Sequence, residues 1–144
     1  MGRVVVTEQI AAPVERVWRA LVEPAEVVVW DGVERRDVPD GYPRPGQHAR
    51  WTIRVAGVRV ALHDRIVAVE PNERFASEIT VGFISLQEEY RLRATPGGGC
   101  ELVSDNLVRS RVPLLGRLAD SLTRRNVVES LARLRAHCEA SPDP

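Results

Sequence analysis

The feature that most restricts this chain is one long helical stretch set behind a run of short strands. From Pro113 to His137 it reads PLLGRLADSLTRRNVVESLARLRAH, with a proline suited to the first turn and no other before Pro142. At a rise of 1.5 Å per residue, such a helix is about 37 Å long. Between Val33 and Arg111 the sequence offers only short strand-like runs and turns. A helix of that length needs a broad, curved sheet to bury one side. The expectation is therefore an α+β fold in which an antiparallel sheet of about seven strands wraps a long C-terminal helix.

The N-terminal third fits that plan. Arg3–Ile10 is rich in valine and reads as a strand. Pro13 opens a short helix with Glu15 in its first turn and Val14, Val17, Trp18 and Leu21 as its apolar stripe. Pro24 stops it and starts a second short helical turn, which closes at Trp30-Asp31-Gly32 although Val27-Val28-Val29 is a poor helix former. Val33–Val38 reads as an edge strand, and Asp40–Gly46 (DGYPRPG) as loop.

Register can be read from the turns. Ala49, Trp51, Ile53 and Val55 alternate with His48, Arg50, Thr52 and Arg54, so the first set faces inward. A hairpin turn at Ala56-Gly57 sets Trp51 opposite Leu62 and Ala49 opposite Asp64. A turn at Pro71-Asn72 sets Ala68 against Phe75, Ile66 against Ser77 and Arg65 against Glu78. The Pro96-Gly97-Gly98-Gly99 turn is expected to pair Arg91 with Asp105 outside and Tyr90 with Asn106 inside. Opposite charges meeting on the outer face support this alternation.

The inward face is then too polar for an ordinary core. It carries Asp64, Ser77, Glu88, Tyr90, Ser104 and Asn106 beside Trp51, Leu62, Phe75, Ile84 and Leu86. Burying unpartnered carboxylates costs several kcal/mol each, so this face must be solvated, paired or used. A cavity between sheet and helix relieves that cost. The helix repeats the hint, because its stripe Leu115, Leu118, Leu122 changes face before Val127, Leu131, Leu134 and Cys138, across Thr123-Arg124-Arg125-Asn126.

Composition narrows the chemistry. The 20 basic residues, all arginine, balance 20 acidic ones. A neutral chain offers no electrostatic footprint for nucleic acid or an anionic membrane, and a chain without lysine forms no Schiff base. Cys100 and Cys138 make no disulfide framework or metal spacing, and His48, His63 and His137 form no paired motif. Gly97-Gly98-Gly99 is a hairpin turn and not a phosphate cradle, since no helix follows it. The expectation is one cytoplasmic domain over residues 1–144, monomer or homodimer, with no signal peptide, membrane span, metal or cofactor.

The candidate site follows from the inward face. Asp64 and Glu88 suit general acid–base work, because an apolar wall raises a carboxyl pKa toward neutrality. The structural alternative is an ion pair or hydrogen bond with Arg125 or another arginine. Tyr90 beside Asn106 suits a carbonyl or enolate oxygen, or else forms a satisfied polar pair within the core. Trp30 and Trp51 offer faces for an aromatic ligand, whereas Trp18 reads as core. Leu62, Phe75, Ser77, Leu86, Ser104, Leu118 and Leu122 complete the expected wall, with Arg125 and Asn126 at the mouth. His48 and His63 fall on the outer face.

Two motifs carry a family resemblance. Ile10–Leu21 (IAAPVERVWRAL) matches an I-x-A-P-x-E-x-V-W-x-x-L opening, and Ile66–Phe75 (IVAVEPNERF) matches a hydrophobic strand followed by Glu-Pro and an Arg-aromatic pair. Together with the element order, the chain resembles the START/birch-pollen-allergen-like (SRPBCC) superfamily and, within it, the polyketide cyclase/dehydrase-like branch. The resemblance implies the helix-grip fold and a pocket for an apolar or aromatic small molecule. It implies one of three roles: acid–base cyclisation or dehydration of a polyketide-like carbonyl compound, non-catalytic carriage of a lipid or metabolite, or protein interaction of the chaperone-ATPase-activator kind.

Overall fold

The computed structural model describes residues 2–55 and 57–143. In chain order it runs β1 (Gly2–Ile10), α1 (Val14–Val22), α2 (Pro24–Trp30), β2 (Glu34–Asp37), β3 (His48–Val55), β4 (Val58–Glu70), β5 (Arg74–Val81), β6 (Ile84–Ala94), β7 (Cys100–Ser110) and α3 (Gly116–Ala140). The strands form one curved antiparallel sheet in the order β1-β7-β6-β5-β4-β3-β2. Since β1 pairs with β7 while β2 lies at the opposite edge, α1 and α2 carry the chain across the sheet. The long helix α3 packs chiefly on β1 and β7. This is the helix-grip arrangement.

The expected register holds for β3 and β4, where Trp51 faces Leu62 and Ala49 faces Asp64. Ala56 of the expected turn lies outside the described residues. Between β4 and β5, Ile66 faces Ser77 and Arg65 faces Glu78, but Ala68 faces Ala76 and Val69 faces Phe75. The loop holds three residues rather than two, because Asn72 takes a positive φ of 64° and Glu73 N–H closes on the Glu70 carbonyl. A bulge after Ile66 absorbs the extra residue, restoring the expected pairing farther along β4.

The β6–β7 pairing differs by two residues. Tyr90 faces Ser104, Glu88 faces Asn106, Glu89 faces Asp105 and Arg91 faces Val103. Pro96 and Gly97 (φ 94°) occupy the centre of a tight turn closed by Gly98 N–H on the Thr95 carbonyl, so the ladder ends at Ala94 and Cys100. A shift of two leaves every side chain on its expected face. The polar inward face is intact.

Helix α3 begins at Gly116, three residues after Pro113. Leu114 takes φ 71°, a left-handed conformation that a helix cannot include, and Leu115 caps the helix in its place. Its buried side is Ala119, Thr123, Val127, Ser130, Leu131, Leu134 and Cys138. One continuous stripe therefore replaces the expected change of face. Small residues occupy its first half, where α3 lies against β1 and β7, and Leu118 points outward, 47% exposed. Toward the C-terminal half, Leu131 and Leu134 join Ile10, Val17, Leu21, Leu102 and Cys138 in the main core. Fully buried leucines there contribute about 1.5–3 kcal/mol each.

Candidate functional site

The concave side of the sheet is hollow. A cavity of about 430 Å³ lies between the sheet, α2 and the second half of α3. Trp51, Ile53 and Leu62 form one wall and Phe75, Ile79 and Tyr90 another, with Trp30 at the end of α2 and Val127 on α3. A second space of about 260 Å³ adjoins it toward the start of α3, enclosed by Val55, Val81, Ile84, Leu86, Leu122 and Thr123. Ile53, Leu62, Ile79, Glu88 and Val127 line both, so the two spaces are lobes of one interior. Glu88 stands at their junction.

Most of the expected site residues meet here. Asp64, Glu88, Tyr90, Trp30, Trp51, Leu62, Phe75 and Ser77 line the larger lobe. Leu86, Asn106, Leu122 and Arg125 line the smaller one. Two residues lie elsewhere. Ser104 is fully buried beneath Asn106, whose amide it accepts at 3.0 Å, and Leu118 sits on the outer side of α3. His48 and His63 stack on the outer face with ring centroids 5.1 Å apart, as alternation requires. Trp18 packs edge-on against Phe75 behind the wall, at 6.2 Å between ring centres.

The carboxyls are not held by arginine. Arg125 pairs with Glu129 on the surface of α3. Asp64, 5% exposed, instead accepts a 2.6 Å hydrogen bond from the Tyr42 hydroxyl, and its other oxygen has no partner among the described residues. Burial raises the Asp64 pKa, against the opposing pull of that bond. Burial also lifts Glu88, and the nearby negative charges of Asp64 and Asp31 add to the effect, bringing its pKa to about 8. Tyr90 is driven well above its ordinary value by burial and by the same carboxyls. At neutral pH the centre of the cavity therefore holds a protonated carboxylic acid and two neutral phenols.

Tyr42 is the main residue that the sequence reading passed over. It sits in the proline- and glycine-rich loop, and packs edge-on to Trp51 with ring centres 5.8 Å apart. A lone aromatic in such a loop was the available signal. At the mouth, Ser130 donates to Asp31 at 3.0 Å and Arg133 donates to the Trp30 carbonyl at 3.1 Å, joining the end of α2 to α3. Burial raises the Asp31 pKa, while the bond from Ser130 and the charge of Arg133 oppose it. Among the described residues, no group of three or more His, Cys, Asp or Glu is placed to hold a metal ion.

Comparison with known proteins agrees with this architecture. Residues 1–139 match the family described as polyketide cyclase / dehydrase and lipid transport. The chain belongs to that family. Protein CV1439 from Chromobacterium violaceum superposes with a TM-score of 0.78 at 19% identity, over 99% of this chain and 100% of that one. Protein MLL2253 from Mesorhizobium loti gives 0.77 at 22% identity, over 97% and 98%. A START superfamily protein from Mycobacterium smegmatis gives 0.71 at 14% identity, over 97% and 96%. At such identities these likenesses concern the fold. No curated protein sequence matches the chain. The family points to binding of a hydrophobic ligand, and no described helix is long and apolar enough to cross a membrane.

Proposed function

We propose that this protein takes an apolar or aromatic carbonyl compound into the cavity and promotes its cyclisation or dehydration by acid–base chemistry. The supporting observation is the pairing of unlike carboxyls across one apolar space. Glu88 keeps its proton to about pH 8, whereas at Asp64 the hydrogen bond from Tyr42 opposes the upward shift that burial imposes. Their strands β4 and β6 flank β5, so the backbones stand roughly 10 Å apart, which leaves room for a guest between the side chains.

In this reading Trp51, Phe75 and Tyr42 hold the apolar body of the guest. Asp64 removes a proton beside the carbonyl. Glu88 supplies a proton to the oxygen that leaves as water or becomes the new hydroxyl, and Tyr90 donates to the enolate oxygen. A chaperone-activator role has less support, since a protein interaction needs no cavity of 430 Å³.

The test is to offer short poly-β-ketone surrogates to the wild type, Glu88→Gln and Asp64→Asn, following products by mass. Displacement of the fluorescent probe anilinonaphthalene sulfonate is measured in parallel. Loss of product with retained probe binding supports catalysis. Intact surrogates with the wild type, and variants that alter affinity alone, indicate a carrier. Failure of the folded wild type to bind any probe refutes the pocket itself.

A further inference from the structure

Two residues that line the smaller lobe each carry a buried polar atom with no partner among the described residues. The Asn106 side chain is fully buried, and its Nδ2 donates both to the Val4 carbonyl at 3.3 Å and to the Ser104 hydroxyl at 3.0 Å. A carbonyl oxygen only accepts, so the Val4 contact fixes which way the amide faces. Its Oδ1 is left without a partner. On the facing helix the Thr123 hydroxyl, 6% exposed, is also unpartnered. Both residues line the same 260 Å³ lobe, whose other walls are largely aliphatic.

Buried polar groups without partners are rare, and each costs about as much as a lost hydrogen bond. Here the two are chemically complementary. Asn106 Oδ1 accepts only, while the threonine hydroxyl both accepts and donates. A ligand hydroxyl satisfies both, donating to Asn106 and accepting from Thr123. A carbonyl or ether oxygen satisfies Thr123 alone and leaves the amide oxygen stranded.

We infer that the smaller lobe is a hydroxyl-reading subsite, and that the ligand spans both lobes with an alcohol or phenol group seated between Asn106 and Thr123. The inference builds on the proposed pocket and specifies part of its occupant. Register gives the subsite its relation to the chemistry. Glu88 lies directly opposite Asn106 on the neighbouring strand, a separation of about 5 Å between the two Cβ atoms. The hydroxyl is therefore anchored beside the proposed proton donor, and the carbon skeleton extends from it past Glu88 into the aromatic lobe. Substrates of this shape are hydroxylated, elongated ring or chain compounds. Unfunctionalised hydrocarbon tails are not.

The test uses matched probes, 6-(2-naphthyl)hexan-1-ol and its methyl ether, each competing with anilinonaphthalene sulfonate for the intact protein. The wild type is expected to prefer the alcohol by about tenfold, the ratio equivalent to one well-made buried hydrogen bond. Asn106→Leu, which removes the acceptor that only the alcohol can satisfy, should cut that preference to about twofold, whereas Thr123→Val, close in shape and without the hydroxyl, should weaken alcohol and ether alike. Equal affinity for alcohol and ether in the wild type overturns the subsite while leaving the pocket intact. A preference that survives in folded Asn106→Leu, or affinities for both probes that Thr123→Val leaves unmoved, overturns it too. Absence of competition by both probes, with the sulfonate still bound, shows that the spanning ligand is wrong. Absence of sulfonate binding removes the pocket, and the inference with it.

Discussion

Two clusters of buried charged and carboxyl groups in this molecule are handled in opposite ways. Where the ends of α1, α2 and α3 meet, Arg16 is 3% exposed and every group around it is answered. Its guanidinium donates to Glu26 at 2.6 Å and to the Ser141 carbonyl at 2.6 Å, with His137 3.2 Å away. Burial works to raise the Glu26 pKa, but bonds from His137, Arg16 and Arg19 together hold it below the ordinary carboxylate range. In the cavity, neither Asp64 nor Glu88 is paired with an arginine, and three oxygens, on Asp64, Asn106 and Thr123, have no partner among the described residues. The first cluster is complete without a ligand. The second leaves buried oxygens unpaired, which is why we propose it as the working part.

The sharpest way to break this contrast is to remove Arg16. Arg16→Met leaves Glu26 facing a buried gap, and we expect a loss of about 3 kcal/mol in urea unfolding near pH 7. Glu26 has a lowered pKa in the folded chain, so its contribution is present above the unfolded value and disappears as pH falls through and below about 4.5. The variant should consequently lose less on acidification than the wild type. Its folded fraction should still bind anilinonaphthalene sulfonate. A loss below about 0.5 kcal/mol would remove the distinction between the two regions.

Glu88→Gln should do the reverse. The folded pKa of about 8 lies above the ordinary 4.5, so the folded chain keeps a proton that the unfolded chain has released. Stability from this group therefore falls as pH rises from about 4.5 to 8. At pH 8.5 the glutamine variant is expected to be about 1–2 kcal/mol more stable than the wild type, with the difference vanishing near pH 4. Parallel pH–stability curves would show that Glu88 is paired after all.

The smallest effect tests the one bond that bridges the two behaviours. Tyr42→Phe removes the 2.6 Å hydrogen bond that Asp64 accepts and should cost about 1 kcal/mol in the same unfolding assay. An unchanged midpoint would mean that Asp64 is already protonated or solvated.

Alternation made the inner face legible before any coordinates. Residues two apart on a strand share a side whatever the register, so Asp64, Ser77, Glu88, Tyr90 and Asn106 stayed inward even though β6 and β7 pair two residues from the expected alignment. The same logic kept His48 and His63 outside. Element order was equally readable, since prolines at positions 13 and 24 and the glycine- and proline-rich turns punctuate it. Leu118 and Ser104 show the limit. Period alone put Leu118 on the inner stripe, but α3 starts after a left-handed Leu114 and turns the smaller Ala119 toward the sheet. Ser104 faces inward as expected, yet Asn106 covers it.

What the chain alone determined, then, is local: which residues form strands, which side each presents, and that the inner side is too polar to close on itself. Only the tertiary structure decided which polar atoms find partners. Pairing depends on distances between elements far apart in sequence, such as Tyr42 with Asp64 and Arg16 with His137, and Asn106 and Thr123 share the lining of one lobe without a bond between them. A hydrogen bond forms or fails over a few tenths of an ångström, a precision that periodicity does not carry.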